Sequence, residues 1–226
     1  MRQCLCLSGG LGCFRLGLDH MRKQFDGDVF LATWDKDADA ASLCNEYNLK
    51  GLEIVPFDTV SESLKAKCEY FKRYRDYDAK SHKNRQAWDS LCMFYLLGRV
   101  AFLKRDYEIR NGFRYDTVIR SRPDHVYRGL GHFDKQPDTI YFPENANFYG
   151  VTDNLACGDS VTMDKFFLLP HLVDTYLLTT KTAWIHEHLT KLHVMSQKLK
   201  TAKIIGWTYR GADGQPPGGD QPSVGW

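Results

Sequence analysis

No stretch of this sequence approaches the roughly 20 consecutive apolar residues that a membrane-crossing helix requires. Its start, MRQCLCLSGG, is interrupted too early for a signal peptide, so a cytoplasmic location is expected. An excess of one charge is also missing. The 30 Lys and Arg stand against 28 Asp and Glu and leave a net +2, so there is no overall field to recruit nucleic acid, which is not an expected partner. Cysteine is present seven times (Cys4, Cys6, Cys13, Cys44, Cys68, Cys92, Cys157) but never as a CxxC pair, and the number is odd. That pattern fits reduced thiols and neither a disulfide framework nor a zinc cluster. Absent as well are a full GxGxxG, a Walker lysine and an HExxH: the residue three after Glu187 is Thr190. The His186-Glu187-His188 cluster is therefore read as a solvated helix face.

What is present is ordinary globular usage, with 43% hydrophobic and 26% charged residues, in a length that suits one domain. Short apolar runs at 3–7 (QCLCL), 28–34 (DVFLATW) and 52–57 (LEIVPF) alternate with helix-like segments at about 13–25 and 40–47. Alternation of this kind predicts an α/β fold, a mostly parallel central sheet with helices on both faces. A long helix is expected between Gln86 and Glu108, stopped by Asn111-Gly112. Further strands are expected at 115–124, 139–143, 155–158 and 202–207, and helices near 160–178 and 183–193. From Gly211 onward GADGQPPGGDQPSVGW is rich in Gly and Pro, so residues 1–210 are read as the domain and 211–226 as a disordered tail or a linker to a larger protein.

In open α/β sheets ligands bind outside the carboxyl ends of the strands, where the strand order reverses. Three such ends carry candidate residues. At the first, Ser8, Gly9 and Gly10 are small enough for backbone N–H groups to meet an anion before a helix, or they only make the turn. At the second, Asp35, Asp37 and Asp39 with Glu46 imitate a calcium loop, but Ala40 stands where the glycine is needed. Asp39 is better read as a helix cap, which leaves Asp35 for a ligand. At the third, an extended 118–124 would project Arg120, Arg122 and Asp124 from one face. Two guanidinium groups at the end of an apolar strand call for an anion such as a diphosphate, with Asp124 on a divalent metal bridging the same phosphates. Structural Arg122–Asp124 or Arg120–Asp35 ion pairs are the alternative.

Taken together, CLSGGLGCFR, DVFLATWD, GFRYDTVIRSRPDHVY and GVTDNLACGDSVTMDKF, with a weaker echo in HEHLTKL and YRGADG, resemble the small GT-A-like glycosyltransferases of bacterial surface-polysaccharide loci and large algal viruses. The similar blocks span most of residues 4–214. That resemblance implies a Rossmann-like GT-A fold. It also implies transfer of a hexose or pentose from a UDP- or GDP-sugar to a glycan or other acceptor, assisted by Mn2+ or Mg2+. On this sequence Ser8, Gly9 and Gly10 would lie against the nucleotide, Asp124 would take the metal-carboxylate position, and Asp153 and Asn154 would line the sugar pocket, with Asp153 and Asp124 catalytic. The chain departs from the common Asp-x-Asp by having Arg122-Pro123-Asp124. A nucleotidyltransferase and a non-catalytic sugar- or nucleotide-binding module of the same fold are the rival readings.

Overall fold

The computed structural model of the chain describes residues 1–11, 25–36, 49–72, 83–123, 125–128, 136–143, 151, 154–180, 186–204 and 208–211. The helices expected near 13–25 and 40–47, and the tail from 212, lie outside them.

Three strands open the fold: β1 (Gln3–Ser8), β2 (Asp28–Trp34) and β3 (Gly51–Val55). Two long helices follow, α1 (Phe57–Lys72) and α2 (Lys83–Asn111). The expected third strand is thus shorter than its apolar run. Pro56 has no N–H to give to a ladder, and the side chain of Asp35 accepts the N–H of Phe57 at 3.0 Å, which fixes the start of α1 there. Helix α2 ends as expected, with Gly112 in the left-handed region at φ 65.

The second half contains β4 (Thr117–Ser121), β5 (His125–Arg128), β6 (Thr139–Pro143) and β7 (Leu155–Gly158). After them come α3 (Ser160–Phe166), α4 (Leu169–Thr179), α5 (His186–Ser196), β8 (Lys200–Ile204) and β9 (Thr208–Gly211). The single helix expected over 160–178 is two, with Phe167 and Leu168 turning between them and Pro170 in the first turn of α4. Asp159 caps α3, its side chain accepting from the Thr162 N–H at 2.7 Å. The strand at 115–124 is shorter than expected. Among its described residues only Thr117–Ser121 is strand, as β4 of the main sheet, and the separate strand β5 that follows it pairs antiparallel with β9 in a second, two-stranded sheet. Gly211 is the last residue of β9.

The main sheet has the order β3-β2-β1-β4-β7-β6-β8. Strands β1 to β4 are mutually parallel neighbours, and β7 runs against both β4 and β6. Because β8 is parallel to β6, every strand but β7 points the same way. The sheet is mostly parallel, as expected, and both of its faces are apolar. Cys4, Cys6, Phe30, Ala32, Val118 and Ala156 face the larger cluster, to which α1 to α5 all contribute. Leu5, Leu7, Leu31, Ile119, Leu155 and Cys157 face the smaller one. No described helix contributes to the second cluster. Leu11 and Phe25, on either side of the segment 12–24, pack there.

Strand order reverses between β1 and β4, because β2 and β3 lie on one side of β1 while the chain returns on the other. Helix α2 runs against the strands: Glu108, near its end, accepts the N–H of Tyr115 just before β4. Helix α5 leads down into β8, so its first turn stands at the carboxyl end of the sheet.

Candidate functional site at the carboxyl edge of the sheet

The three strand ends singled out in the sequence meet. The Gly9 N–H donates to the Ala32 carbonyl at 3.3 Å, and Thr33 Oγ1 donates to the Gly9 carbonyl at 2.9 Å, so the first turn is tied to β2. A Cβ on Gly9 would stand 3.3 Å from Pro123 Cδ, which ties the same turn to the end of β4. With φ at 144, this position also suits glycine on conformational grounds. Ser8, the last residue of β1, is fully buried, and its Oγ has no hydrogen-bonding partner among the described residues.

Arg120 is 1% exposed at the centre of the sheet. Its register neighbours are Cys6 on β1 and Ala156 on β7, two small residues that leave space for a long side chain on the α2 face. Strand β4 stops at Ser121, whose Oγ donates to the Arg122 carbonyl at 2.8 Å. The half-buried Arg122 lies one residue beyond the ladder. Extending the antiparallel register by that one residue sets Arg122 opposite Asn154, which is half-buried just before β7. The expected shared face of Arg120, Arg122 and Asp124 is thus built by the sheet for Arg120 alone. Asp124 and Asp153 lie outside the described residues.

Asp35 is exposed just past the end of β2, with one carboxylate oxygen engaged by the protein. That oxygen accepts the Phe57 N–H, and the Asp35 N–H donates to the Val55 carbonyl at 2.9 Å. Beside Asp35 the edge is aromatic: Trp34 stacks on Tyr95 with centroids 5.8 Å apart and meets Phe57 edge-on at 5.1 Å. A flat, half-buried indole is the kind of surface on which a base or a sugar ring packs. Gly10, exposed, follows the turn.

The helix α5 corrects another expectation. It is not a solvated face, since Glu187 is 8% exposed and Thr190 and His193 are fully buried. Its first turn reaches the site: the Glu187 carbonyl accepts the N–H of Val151, three residues before Asn154. Glu187 Oε1 lies 3.0 Å from His186 Nε2, and His186 Nδ1 lies 3.4 Å from Ser90 Oγ on α2. The spacing of Glu187, Thr190 and Val194, read as a stripe, was the available signal, but polar residue types hid it.

Among the described residues no three His, Cys, Asp or Glu side chains gather in a way that could hold a metal ion. A hard divalent cation needs oxygen ligands, and at the described strand ends Asp35 brings a carboxylate, one oxygen of which accepts the Phe57 N–H. All described cysteines are free thiols, as expected, and no described helix is long and apolar enough to cross a membrane.

No family model and no curated protein matches the chain. Among solved structures it is similar to mouse xyloside xylosyltransferase 1 in its apo form, with 10% identity, coverage of 90% of this chain and 84% of that one, and a TM-score of 0.49. At that distance chemistry has to be read from this chain's own residues.

Proposed function

We propose that this chain is a glycosyltransferase that moves a hexose or pentose from a UDP- or GDP-sugar to a glycan or other acceptor. One observation carries the reading. The close approach of Gly9 to Pro123 sets the Ser8–Gly9 turn beside the end of β4, where Arg120 is on the strand and Arg122 just past it, at the point where strand order reverses. A turn of small residues with two arginines close to it in the fold suits a diphosphate, which arginine grips with two parallel hydrogen bonds. The family resemblance of the sequence blocks points the same way.

In this reading Trp34 packs against the nucleotide or the sugar, and Arg120 and Arg122 face the phosphates. Asn154 and Asp153 line the sugar pocket. Breaking the sugar–phosphate bond leaves negative charge on the departing diphosphate, and fixed cations in a partly dry site stabilise that charge strongly. A divalent cation, Mn2+ or Mg2+, held by Asp124 would add to the same stabilisation. Asp124 and Asp153 remain the proposed catalytic carboxylates, by resemblance.

A ligand that binds only the folded state raises its melting temperature. UDP, GDP and their sugars at millimolar concentration are expected to do so, more with manganese than without. If no nucleoside diphosphate moves the melting temperature, with or without manganese, the reading fails.

A further inference from the structure

Glu187 stands apart from the residues that the sequence suggested. Its side chain is nine-tenths buried, yet only one oxygen is engaged: Oε1 lies 3.0 Å from His186 Nε2, and Oε2 has no hydrogen-bonding partner among the described residues. A buried carboxylate oxygen without a donor is costly. A chain tolerates one where a ligand supplies the missing hydrogen.

The position fits such a ligand. Glu187 is in the first turn of α5, whose N–H groups favour a negative charge, at the carboxyl end of the sheet and on the side that α2 covers. Arg120 belongs to the same side, through its register with Cys6 and Ala156. The Glu187 carbonyl holds the Val151 N–H, so this turn is joined to the strand entry that carries Asn154. His186 fixes Oε1, and in its neutral ring Nδ1 is left to accept from Ser90 Oγ, which keeps the imidazole in place.

Resting on the glycosyltransferase reading, we infer that Glu187 is the acceptor-side base: Oε2 receives the hydrogen bond of the acceptor's attacking hydroxyl and takes its proton as the sugar is transferred. The hydroxyl O–H bond breaks and the proton goes to Glu187. The acceptor oxygen forms its bond to the anomeric carbon while the bond from that carbon to the phosphate oxygen breaks, and its electron pair leaves with the nucleoside diphosphate. The transfer is a single displacement and inverts the anomeric configuration. His186 is a positioning residue, acting through the orientation of the carboxylate.

The test compares wild type with Glu187→Gln, which keeps shape and removes basicity. Binding of UDP and GDP is followed by thermal shift. Turnover is followed as nucleotide release from UDP-glucose, UDP-xylose and GDP-mannose with methyl glycosides of glucose, xylose and mannose as acceptors. Expected for the variant are an unchanged or higher melting temperature, nucleotide binding within about twofold, and kcat lower by about 10²–10⁴-fold, the usual contribution of a positioned base. Activity of Glu187→Gln within threefold of wild type, loss of nucleotide binding along with turnover, or a product of retained configuration would each overturn the assignment. A wild type that binds no nucleotide overturns the glycosyltransferase reading and this assignment with it. One that binds and turns over while the variant is fully active overturns this assignment alone. Should Glu187→Gln be unfolded at the assay temperature, Glu187→Asp keeps the charge and withdraws it by one methylene. Its kcat should fall at constant donor KM, and an unchanged kcat would sink the proposal.

Discussion

Glu108 and Glu187 are both buried, and they lie at opposite ends of one sheet, but the protein surrounds them differently. At the amino end, Glu108 Oε1 accepts from Ser160 Oγ at 2.6 Å and from the Tyr115 N–H at 2.9 Å. Its Oε2 meets Lys104 Nζ at 3.2 Å and an Arg114 nitrogen at 3.0 Å. Lys104, itself fully buried, also holds Asp164 at 2.6 Å. Both carboxylate oxygens are thus occupied by the protein, and the network joins α2 to the entry of β4 and to α3. At the carboxyl end, Glu187 has one engaged oxygen, and Ser8 Oγ has no partner among the described residues. A buried charge that is fully coordinated holds architecture together. One left with spare capacity is where a ligand is to be sought.

The contrast is broken most directly at Glu108. Replacing it by leucine leaves the ammonium of Lys104, the Tyr115 N–H and the Ser160 hydroxyl short of an acceptor. A loss of about 3–5 kcal/mol is expected, which in a chain of this size lowers the melting temperature by roughly 6–20 °C. A Glu108→Leu protein that melts like wild type would show that the amino-end network is not what holds these elements together.

Ser8→Ala probes the other end with a smaller effect of a different kind. Removing a buried hydroxyl that has no described partner should leave the melting temperature of the free protein unchanged or slightly raised. The stabilisation by UDP or GDP should fall by about 0.5–1.5 kcal/mol, the net value of one hydrogen bond. A drop in the stability of the free protein would instead make Ser8 architectural, like Glu108.

The smallest effect concerns pH, and it sets the two ends of α5 against each other. His193, in the last turn of α5, is fully buried. Its Nδ1 lies 2.8 Å from the Tyr176 hydroxyl and its Nε2 donates to the Lys165 carbonyl at 2.9 Å. Burial pushes its pKa below the ordinary 6.5, against the upward pull of the backbone carbonyl contacts. Below about 6.5 the unfolded chain therefore binds a proton that the folded one refuses, so stability is fully present above that pH and declines as pH falls toward the folded value. Melting temperature should fall on acidification from about pH 7.5 to about pH 5, and His193→Gln should flatten that decline. An unaltered acid limb in the variant would assign the decline to other groups.

Much of the sheet was legible because its signals are local. Residues 3–7, 28–34, 139–143 and 155–158 are short apolar runs bounded by turn residues or proline, and they form β1, β2, β6 and β7 almost as bounded. The long helix over 86–108 was legible from its three- and four-residue spacing, and it is α2 with a longer start. What failed was set by contacts distant in sequence. The start of α1 at Phe57 depends on a carboxylate 22 residues earlier, and no pattern within 52–57 encodes that. The unexpected strand β5 after 115–124 depends on β9, about eighty residues later.

At the site the same division holds. The residue types were visible: small residues after β1, arginines on β4 and a carboxylate after β2 are written in order along the chain. The sequence by itself determined that the ends of parallel strands carry small residues, arginines and a carboxylate, since alternation and turn chemistry act over a few residues. Only the tertiary structure decided which of them share a place. Packing brings Gly9 against Pro123, buries Arg120 between Cys6 and Ala156, engages Asp35 as a helix cap, and turns Glu187 from an apparent surface residue into a buried one. Burial and partnership are properties of neighbours that the chain brings together only when it closes, so a carboxylate read in sequence shows its charge and not its surroundings.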